Sequence, residues 1–312
     1  MEPIIEVRHL THTYSVGTPF QRDAVHDVSF TVEKGEFLGI IGHTGSGKST
    51  LIQHLNGLLR PTSGEVLLSG RDIWAEPRKI RSVRFRVGLV FQYPEYQLFE
   101  ETVYKDIAFG PGNMGKTGAE LDACVRESAK LVGLGEEILE KSPFELSGGQ
   151  KRRVALAGVM AMRPEVLILD EPVDGLDPIM RRQVMSLLLG SVAEHSMTVL
   201  ISSHNLRELE DVCDHVGIMD HGKMLLERSL ADMQGLTHKL QIVGSIPQNL
   251  EVLHESSSGR LKTLIVRGKV EEINARAAAA KPDYFDVLPL SLEEIFIYEL
   301  GGVQDAVKNI LL

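Results

Sequence analysis

The chain has 312 residues, of which 43% are hydrophobic and 24% charged, and its formal net charge is −10 at pH 7. This length allows one large domain with an appendage or two modest domains, and the composition is globular rather than disordered, collagenous or membrane-spanning. The negative charge argues against a general nucleic-acid-coating role, because such a role needs a basic surface.

The N-terminus and the cysteines bear on where the protein works. The first residues lack the layout of a signal peptide, and no apolar run approaches the roughly 18 residues that span a bilayer. Cys124 and Cys213 form no CxxC pair, so neither a disulfide framework nor a structural zinc site is indicated. We expect a reducing cytoplasm, with any membrane attachment supplied by another chain.

The first third of the chain begins with β-favouring stretches. Residues 4–7 and 25–32 stand among turn residues and predict an antiparallel sheet. The apolar run 36–41 then leads into a glycine-rich loop, and a helical pattern follows from Ser49 to Leu59. This segment therefore predicts a strand, a loop and a helix.

Further apolar runs at 87–91, 166–169 and 199–202 are separated by amphipathic stretches. Strands that alternate with helices predict a mostly parallel sheet covered by helices. The interval 94–150 lacks this alternation and predicts a helical subdomain inserted into the sheet.

The last part of the chain differs in character from the rest. Beyond Gly235, short strand-like pieces stand among polar turns, which predicts a small α+β appendage without catalytic residues. Ser256, Ser257, Ser258 and Gly259 are most simply a loop. We therefore predict two domains, at residues 1–234 and 235–312.

The segment from Gly42 to Ser49 matches the phosphate-loop pattern GxxxxGK[ST] at every fixed position. Glycines let backbone N–H groups face the phosphates, Lys48 can reach the β- and γ-phosphates, and the Ser49 hydroxyl can ligate Mg²⁺. A chance glycine-rich turn is the alternative, which the strand and helix on either side disfavour. The sequence predicts ATP and Mg²⁺ as ligands, with nucleotide-binding residues Gly42, His43, Thr44, Gly45, Ser46, Gly47, Lys48, Ser49 and Thr50.

Two adjacent carboxylates end the predicted strand 166–169. Successive strand residues point to opposite faces, so Asp170 and Glu171 should have different roles. Asp170 is predicted to hold Mg²⁺, and Glu171 to polarise the attacking water. Alone, such a pair is as often a solvated strand end as a site, but the phosphate loop favours the site.

A second anion-binding feature is the segment from Leu146 to Gln150, which precedes a helical stretch from Lys151 to Met162. A serine and two glycines at a helix start can bind an anion, although a simple capped helix is an equally weighted alternative. One phosphate site does not obviously need this second feature.

These motifs, in their order and spacing, resemble the nucleotide-binding subunits of ATP-binding cassette (ABC) transporters, whose signature is LSGGQ. The resemblance covers roughly residues 4–225. It implies an α/β P-loop NTPase (RecA-like) core with an N-terminal antiparallel β subdomain and a helical insertion. It also implies that Ser147, Gly148, Gly149 and Gln150 of one subunit close on ATP bound by another.

The resemblance implies roles for four further residues. Gln92 matches the glutamine that contacts Mg²⁺, and His204 matches the switch histidine that supports the γ-phosphate and the attacking water. Tyr14 matches the aromatic that stacks on adenine, with Phe20 as a rival, and Asp177 matches a contact between paired subunits. From the residues alone, His204 would be a packing histidine, and Tyr14 or Phe20 would be core filling.

The implied partners are a second ATPase subunit, identical or different, and integral membrane subunits, which would place the chain peripherally on the cytoplasmic face of the cell membrane. No nucleic-acid partner is expected. A soluble ABC ATPase acting on nucleic acid or ribosomes is disfavoured, since no coiled coil, zinc-binding insertion or second cassette is visible.

Residues 1–160 resemble the ATPases of energy-coupling factor (ECF) vitamin and metal importers, whereas residues 170–312 resemble export-type ABC ATPases. A natural mosaic, a recombinant or designed chain and a divergent lineage are all open. Import is favoured because the predicted membrane-facing segment, with Tyr93, Tyr96, Leu98 and Phe99 as contacts, lies in the first part. These four side chains could instead cover the helical insertion. Mismatched parts could also leave a poor catalyst.

Overall fold

A computed structural model of the chain describes residues 3–172, 181–182, 184–186, 189–190, 197–210 and 212–299. The strands in this part are β1 Ile5–Tyr14, β2 Arg22–Val32, β3 Phe37–Ile41, β4 Ser63–Leu68, β5 Arg71–Asp72, β6 Val87–Val90, β7 Val166–Asp170, β8 Thr198–Ser203, β9 His215–Asp220, β10 Lys223–Ser229, β11 Thr237–Val243, β12 Glu251–Ser258, β13 Leu261–Arg267 and β14 Tyr284–Pro289. The α-helices whose two ends are described are α1 Lys48–Leu55, α2 Ile80–Arg86, α3 Val103–Asn113, α4 Gly118–Leu131, α5 Glu136–Leu139, α6 Gly148–Met160, α7 Leu230–Leu236, α8 Val270–Ala279 and α9 Leu292–Glu299.

The central sheet has the strand order β10-β9-β3-β8-β7-β6, and all but the edge strand β10 run parallel. Strands β3, β7 and β8 are buried along their whole length. Continuous burial explains why these strands are unbroken apolar runs rather than alternating ones. Asp170 pairs with Ser202, and Ile41 pairs with Ser203, so these strands end at one edge, where ligands of such sheets bind.

A separate antiparallel sheet of order β2-β1-β4-β5 confirms the prediction for the N-terminal part. It shares an apolar core with one face of the central sheet and with α1, through residues such as Leu10, Val25, Leu38 and Leu51. This packing fixes the end of β1 and the start of β2 beside the loop that precedes α1.

The helical insertion is confirmed between β6 and β7, where α3 to α6 pack together. Helix α6 begins at Gly148, three residues before the predicted stretch. The Ser147 side chain accepts a hydrogen bond from the Gln150 N–H, and the Gln150 side chain accepts one from the Ser147 N–H. This reciprocal cap starts the helix at the LSGGQ segment.

The C-terminal part contains an antiparallel sheet of order β12-β13-β11-β14 with its own apolar core, to which α8 contributes Ile273 and Ala277. The prediction of a loop at Ser256–Ser258 is wrong, because these serines lie in β12 and pair with β13. Strand β12 is an edge strand in which every residue except the half-buried Leu253 is exposed. It therefore lacks the apolar alternation by which a strand is recognised.

Helix α9 connects this C-terminal part to the central sheet. Arg207, three residues after His204, donates two hydrogen bonds of 3.0 Å each to the Glu293 carboxylate, and Lys239 donates one of 2.5 Å to Glu294. Leu292 and Ile295 belong to the same apolar cluster as Leu206. Within the described ranges, none of the helices combines the length and the apolar character of a membrane span.

Candidate functional site

The loop between β3 and α1 depends on glycine at two positions. Gly47 has a φ of 103°, and a Cβ there would lie 2.4 Å from the Ala24 carbonyl oxygen. At Gly42 a Cβ would lie 2.4 Å from the Met219 carbonyl oxygen. Both obstacles are backbone atoms that cannot rotate away, so the fixed glycines of the motif are explained by close approach to neighbouring strands.

Lys48 is the cation of this loop. Only 4% of its surface is exposed, and its ammonium group donates to the carbonyl oxygens of Gly42, at 2.5 Å, and His43, at 3.3 Å. The same nitrogen lies 3.4 Å from Glu171 Oε1. A buried ammonium group held in this way is oriented to receive a phosphate oxygen.

Asp170 and Glu171 follow different paths from the end of β7. The buried Asp170 carboxylate accepts a 2.5 Å hydrogen bond from the Ser202 hydroxyl on the adjacent strand. Glu171 leaves the strand with a φ of 47°, and its N–H donates to Ser202 Oγ at 3.1 Å. A left-handed non-glycine residue costs about 1–3 kcal/mol and occurs preferentially at functional sites.

This turn places the Glu171 carboxylate at the centre of the predicted catalytic residues. Glu171 Oε2 lies 2.9 Å from His204 Nδ1 and accepts a 3.3 Å hydrogen bond from Gln92 Nε2. Gln92, Glu171 and His204 follow three different strands, β6, β7 and β8. The sheet thus brings together residues that are up to 112 positions apart in the sequence.

A cavity of about 410 Å³ opens beside Lys48 and Glu171. This size falls within the range of small-molecule sites, about 300–1,000 Å³. Sequence reasoning predicted Tyr14, Thr44, Gly45, Gly47, Lys48, Ser49, Thr50, Gln92 and Glu171 among the residues that line it, and missed Arg22, Asp23, Ala24, His221 and Gly222. The missed residues belong to the start of β2 and to the β9–β10 turn, for which no local motif gives a signal.

Tyr14 and Phe20 differ in position. Tyr14 lines the cavity, is 40% exposed, and has its hydroxyl 3.3 Å from Thr50 Oγ1. Phe20 is 84% exposed and is not among the described residues that line the cavity. The geometry therefore favours Tyr14 as the aromatic contact for a nucleotide base.

Behind Tyr14 lies a buried histidine on α1. His54 Nδ1 is 2.7 Å from the Thr50 carbonyl oxygen, and Nε2 is 3.1 Å from His12 Nδ1. The His12 ring contacts the Tyr14 ring edge-on, with centroids 4.5 Å apart. Burial lowers the pKa of His54 from its ordinary 6.5 to about 4. The imidazole that supports this side of the cavity is therefore neutral at pH 7.

We expect His54 to make the fold acid-sensitive. Between pH 6.5 and 4 the unfolded chain binds a proton at His54 that the folded chain excludes, so stability falls as the pH falls. The loss from this residue amounts to about 3 kcal/mol by pH 4. Urea unfolding from pH 8 to pH 4 should show a shallower decline for His54→Gln than for the parent. Above pH 7 the two slopes should agree, and parallel curves down to pH 4 would contradict the assignment.

The LSGGQ segment lies away from this cavity. Ser147 and Gly148 are exposed at the start of α6, and no residue from 146 to 150 is among the described residues that line the cavity. Asp177, predicted as an intersubunit contact, lies outside the described residues. One chain therefore presents two separate candidate phosphate-binding surfaces.

Comparison with known proteins gives one consistent result. Residues 25–174 match the ABC transporter family. The energy-coupling factor transporter ATP-binding protein EcfA2 of Caldanaerobacter subterraneus is 46% identical over 252 residues, which cover 80% of this chain and 88% of that protein. EcfA2 of Symbiobacterium thermophilum is 54% identical over 215 residues, which cover 69% of this chain and 74% of that protein.

Solved structures agree. The protein cbiO1 from Clostridium perfringens, described as part of the ABC transporter complex cbiONQ, has a TM-score of 0.67 and 38% identity, covering 74% of this chain and 90% of that one. A dimeric post-hydrolysis state of the cassette MJ0796 with ADP and Pi has a TM-score of 0.67 and 27% identity, covering 72% and 98%. The 252 residues aligned with EcfA2 extend beyond residues 1–160, so the ECF likeness is not confined to the first part.

Proposed function

Because the chain belongs to the ABC transporter ATP-binding family, we propose that it works as a dimer, in which two ATP molecules lie between the phosphate loop of one subunit and the α6 start of the other. The chain is an ATP-binding and ATP-hydrolysing subunit that energises transport. The observation that carries the proposal is the separation of the two phosphate-binding surfaces. The capped start of α6, with Ser147 and Gly148 exposed, has backbone N–H groups that can bind an anion. None of the described residues that line the cavity comes from this helix start.

The hydrolytic roles follow from the contacts around Glu171. Its carboxylate would take a proton from the attacking water, while His204 and Gln92 hold Oε2 in place. Lys48 would hold the β- and γ-phosphates and balance the charge that develops on them. Lys48 Nζ and Glu171 Oε1 are 3.4 Å apart. A γ-phosphate bound by Lys48 would therefore lie beside the carboxylate that takes the proton.

The donor set also fits Mg²⁺. Ser49 and Gln92 line the cavity, and Asp170 ends the neighbouring strand, so a hydroxyl, an amide oxygen and a carboxylate are available. Oxygen donors are what Mg²⁺ prefers. Bound there, the ion would neutralise charge on the β- and γ-phosphates.

The proposed dimer can be tested with Gly148→Asp. A Cβ at Gly148 meets no atom within 4 Å, and an aspartate at a helix start is favourable in the free subunit. In the dimer, however, its carboxylate would oppose the γ-phosphate of the other subunit. We expect the variant to bind ATP like the parent but to lose ATP-dependent dimerisation, measured by analytical ultracentrifugation in a Glu171→Gln background.

Gly148→Asn is the matched control, since it has the same size without the charge. Its ATP-dependent dimerisation constant should be at least about tenfold higher than that of Gly148→Asp. A factor of ten corresponds to about 1.4 kcal/mol of repulsion between the carboxylate and the phosphate. Equal dimerisation of the parent and Gly148→Asp would show that the α6 start does not face a second subunit.

A groove of about 290 Å³ on the helical insertion is the proposed docking surface for a membrane subunit. Phe99 and Phe109 are exposed at this groove, with ring centroids 4.9 Å apart. Tyr93 and Tyr96 are also exposed, whereas Leu98 lines the groove but is buried in the apolar core of the insertion. Exposed aromatic side chains around a groove are typical of interaction sites. The description of cbiO1 as part of a transporter complex supports this assignment.

Docking there would place the chain peripherally on the cytoplasmic face of the membrane. The likeness to EcfA2 proteins supports an ECF-type importer over an export-type system. We further propose that residues 1–234 form the nucleotide-binding domain and residues 235–312 an accessory domain. The separate apolar core around Leu240, Leu264 and Val266 supports this division.

A further inference from the structure

Three polar side chains meet beside the nucleotide cavity without a role in the proposed hydrolysis. His43 belongs to the phosphate loop, Asp220 ends β9, and His221 follows in the turn to β10. Asp220 Oδ1 lies 2.8 Å from His43 Nε2 and 2.7 Å from His221 Nδ1, and the three atoms all lie within 4.8 Å of one another. We propose that these residues form a binding site for a divalent transition-metal ion of the Zn²⁺, Co²⁺ or Ni²⁺ type.

The donor set selects this class of ion. Two imidazole nitrogens and one carboxylate oxygen suit zinc, cobalt and nickel, whereas Mg²⁺ prefers oxygen donors alone. Bonds of about 2.0–2.2 Å in a tetrahedral arrangement place the donor atoms about 3.3–3.6 Å apart. The two separations from Asp220 Oδ1, 2.8 Å and 2.7 Å, must therefore open by about 0.5–0.9 Å. His221 can move away from Asp220, because its side chain is 81% exposed in a turn, whereas the separation to His43 must open by a small shift of the less exposed His43 and Asp220 side chains.

A second observation comes from the other nitrogen of His43. His43 Nδ1 lies 2.7 Å from the Thr44 carbonyl oxygen, so both ring nitrogens face an oxygen acceptor. A neutral imidazole carries one N–H and can satisfy only one of these acceptors. With a metal on Nε2, the single proton sits on Nδ1 and is donated to Thr44. A backbone carbonyl on the outer nitrogen is the usual support for a metal-bound histidine.

Because His43 belongs to the phosphate loop, an ion bound at this site would affect the loop. The β9–β10 turn already contacts the loop through a 2.9 Å hydrogen bond from Gly222 N to the Ser46 carbonyl oxygen. A metal shared by His43 and Asp220 would replace the 2.8 Å contact between them with metal–ligand bonds that join the same two segments. Metal binding would therefore restrain the phosphate loop in the nucleotide-free protein. The nucleotide-binding role proposed for His43 is that of its loop backbone, which leaves the ring free for this use.

The site can be tested by titrating the nucleotide-free full chain with Zn²⁺ in an isothermal calorimeter. Millimolar Mg²⁺ in the buffer occupies oxygen-donor sites, including the one proposed for catalysis, but does not compete for imidazole. We expect one Zn²⁺ per chain. His221→Asn should lower the affinity at least about tenfold, since even the loss of a supporting residue costs about 10–100-fold. Asparagine also tolerates the left-handed backbone at this position, where φ is 45°.

His9→Asn is a closely matched control. His9 has a φ of 48°, an 81% exposed side chain, and an Nδ1 atom 2.8 Å from the carboxylate of Asp27, but no second imidazole from the described part of the chain joins this pair. His9→Asn should bind Zn²⁺ like the parent. Co²⁺ in place of Zn²⁺ should give visible absorption bands that His221→Asn loses. An absence of Zn²⁺ uptake by the parent, or equal affinity in the parent and His221→Asn, would overturn the proposal.

Discussion

Glu171→Gln is expected to lower the rate of ATP hydrolysis at least about 100-fold while ATP binding is kept, because the amide cannot accept the proton of the attacking water. The substitution keeps the shape of the side chain and can still hydrogen bond to His204. It removes the charge beside Lys48, at 3.4 Å, so ATP should bind at least as tightly. Steady-state hydrolysis and equilibrium ATP binding by the same preparation would measure both effects.

Glu165→Gln provides a control at the opposite end of β7. Glu165 directly precedes β7 and pairs with Arg86 at the opposite end from the cavity. We expect Glu165→Gln to hydrolyse ATP at the parental rate. If Glu171→Gln also turned over like the parent, another group would have to be the general base.

In contrast to Glu171→Gln, the substitution Lys48→Ala should weaken ATP binding itself. The ammonium group is buried among two carbonyl oxygens and the Glu171 carboxylate, and no described cation replaces it at these oxygens. A hydrogen bond to a charged group contributes about 1.5–3 kcal/mol, so affinity should fall about 10–100-fold. Calorimetry with a non-hydrolysable ATP analogue separates this effect from turnover.

Lys79→Ala is the matched control for Lys48→Ala. Lys79 also pairs with a glutamate, Glu76, but both side chains are exposed on the surface. Exposed ion pairs contribute little, so the affinity for ATP should not change. Unchanged affinity in Lys48→Ala would contradict the phosphate-loop assignment. The two substitutions at the site thus separate nucleotide binding from hydrolysis.

The phosphate loop could be predicted from sequence because its chemistry is local. Gly42, Gly47, Lys48 and Ser49 stand at fixed spacings within one strand–loop–helix unit. The same holds for the α6 start, where Ser147 and Gln150 form the cap and also belong to the signature. The ABC family and the α/β fold followed from these local patterns, and both are confirmed.

Other parts of the site could not be predicted because they depend on tertiary contacts. Arg22 and Asp23 line the cavity only because the N-terminal sheet packs against α1. His221 reaches it because β9 pairs with β3. Strand alternation predicted that the two carboxylates separate, but it could not predict the left-handed turn at Glu171. That turn depends on Ser202, which is 31 residues away in sequence.

Because the catalytic side chains lie at one edge of the central sheet, a change in strand alignment would displace them. Gln92, Glu171 and His204 each follow a different strand, so the position of each is set by pairing along the whole length of its strand. A slip of β7 by one residue would reverse every side chain on it and carry Asp170 away from Ser202. Catalytic activity is therefore a more sensitive measure of strand alignment than secondary-structure content. A subunit can lose ATP hydrolysis while its helices and strands remain intact.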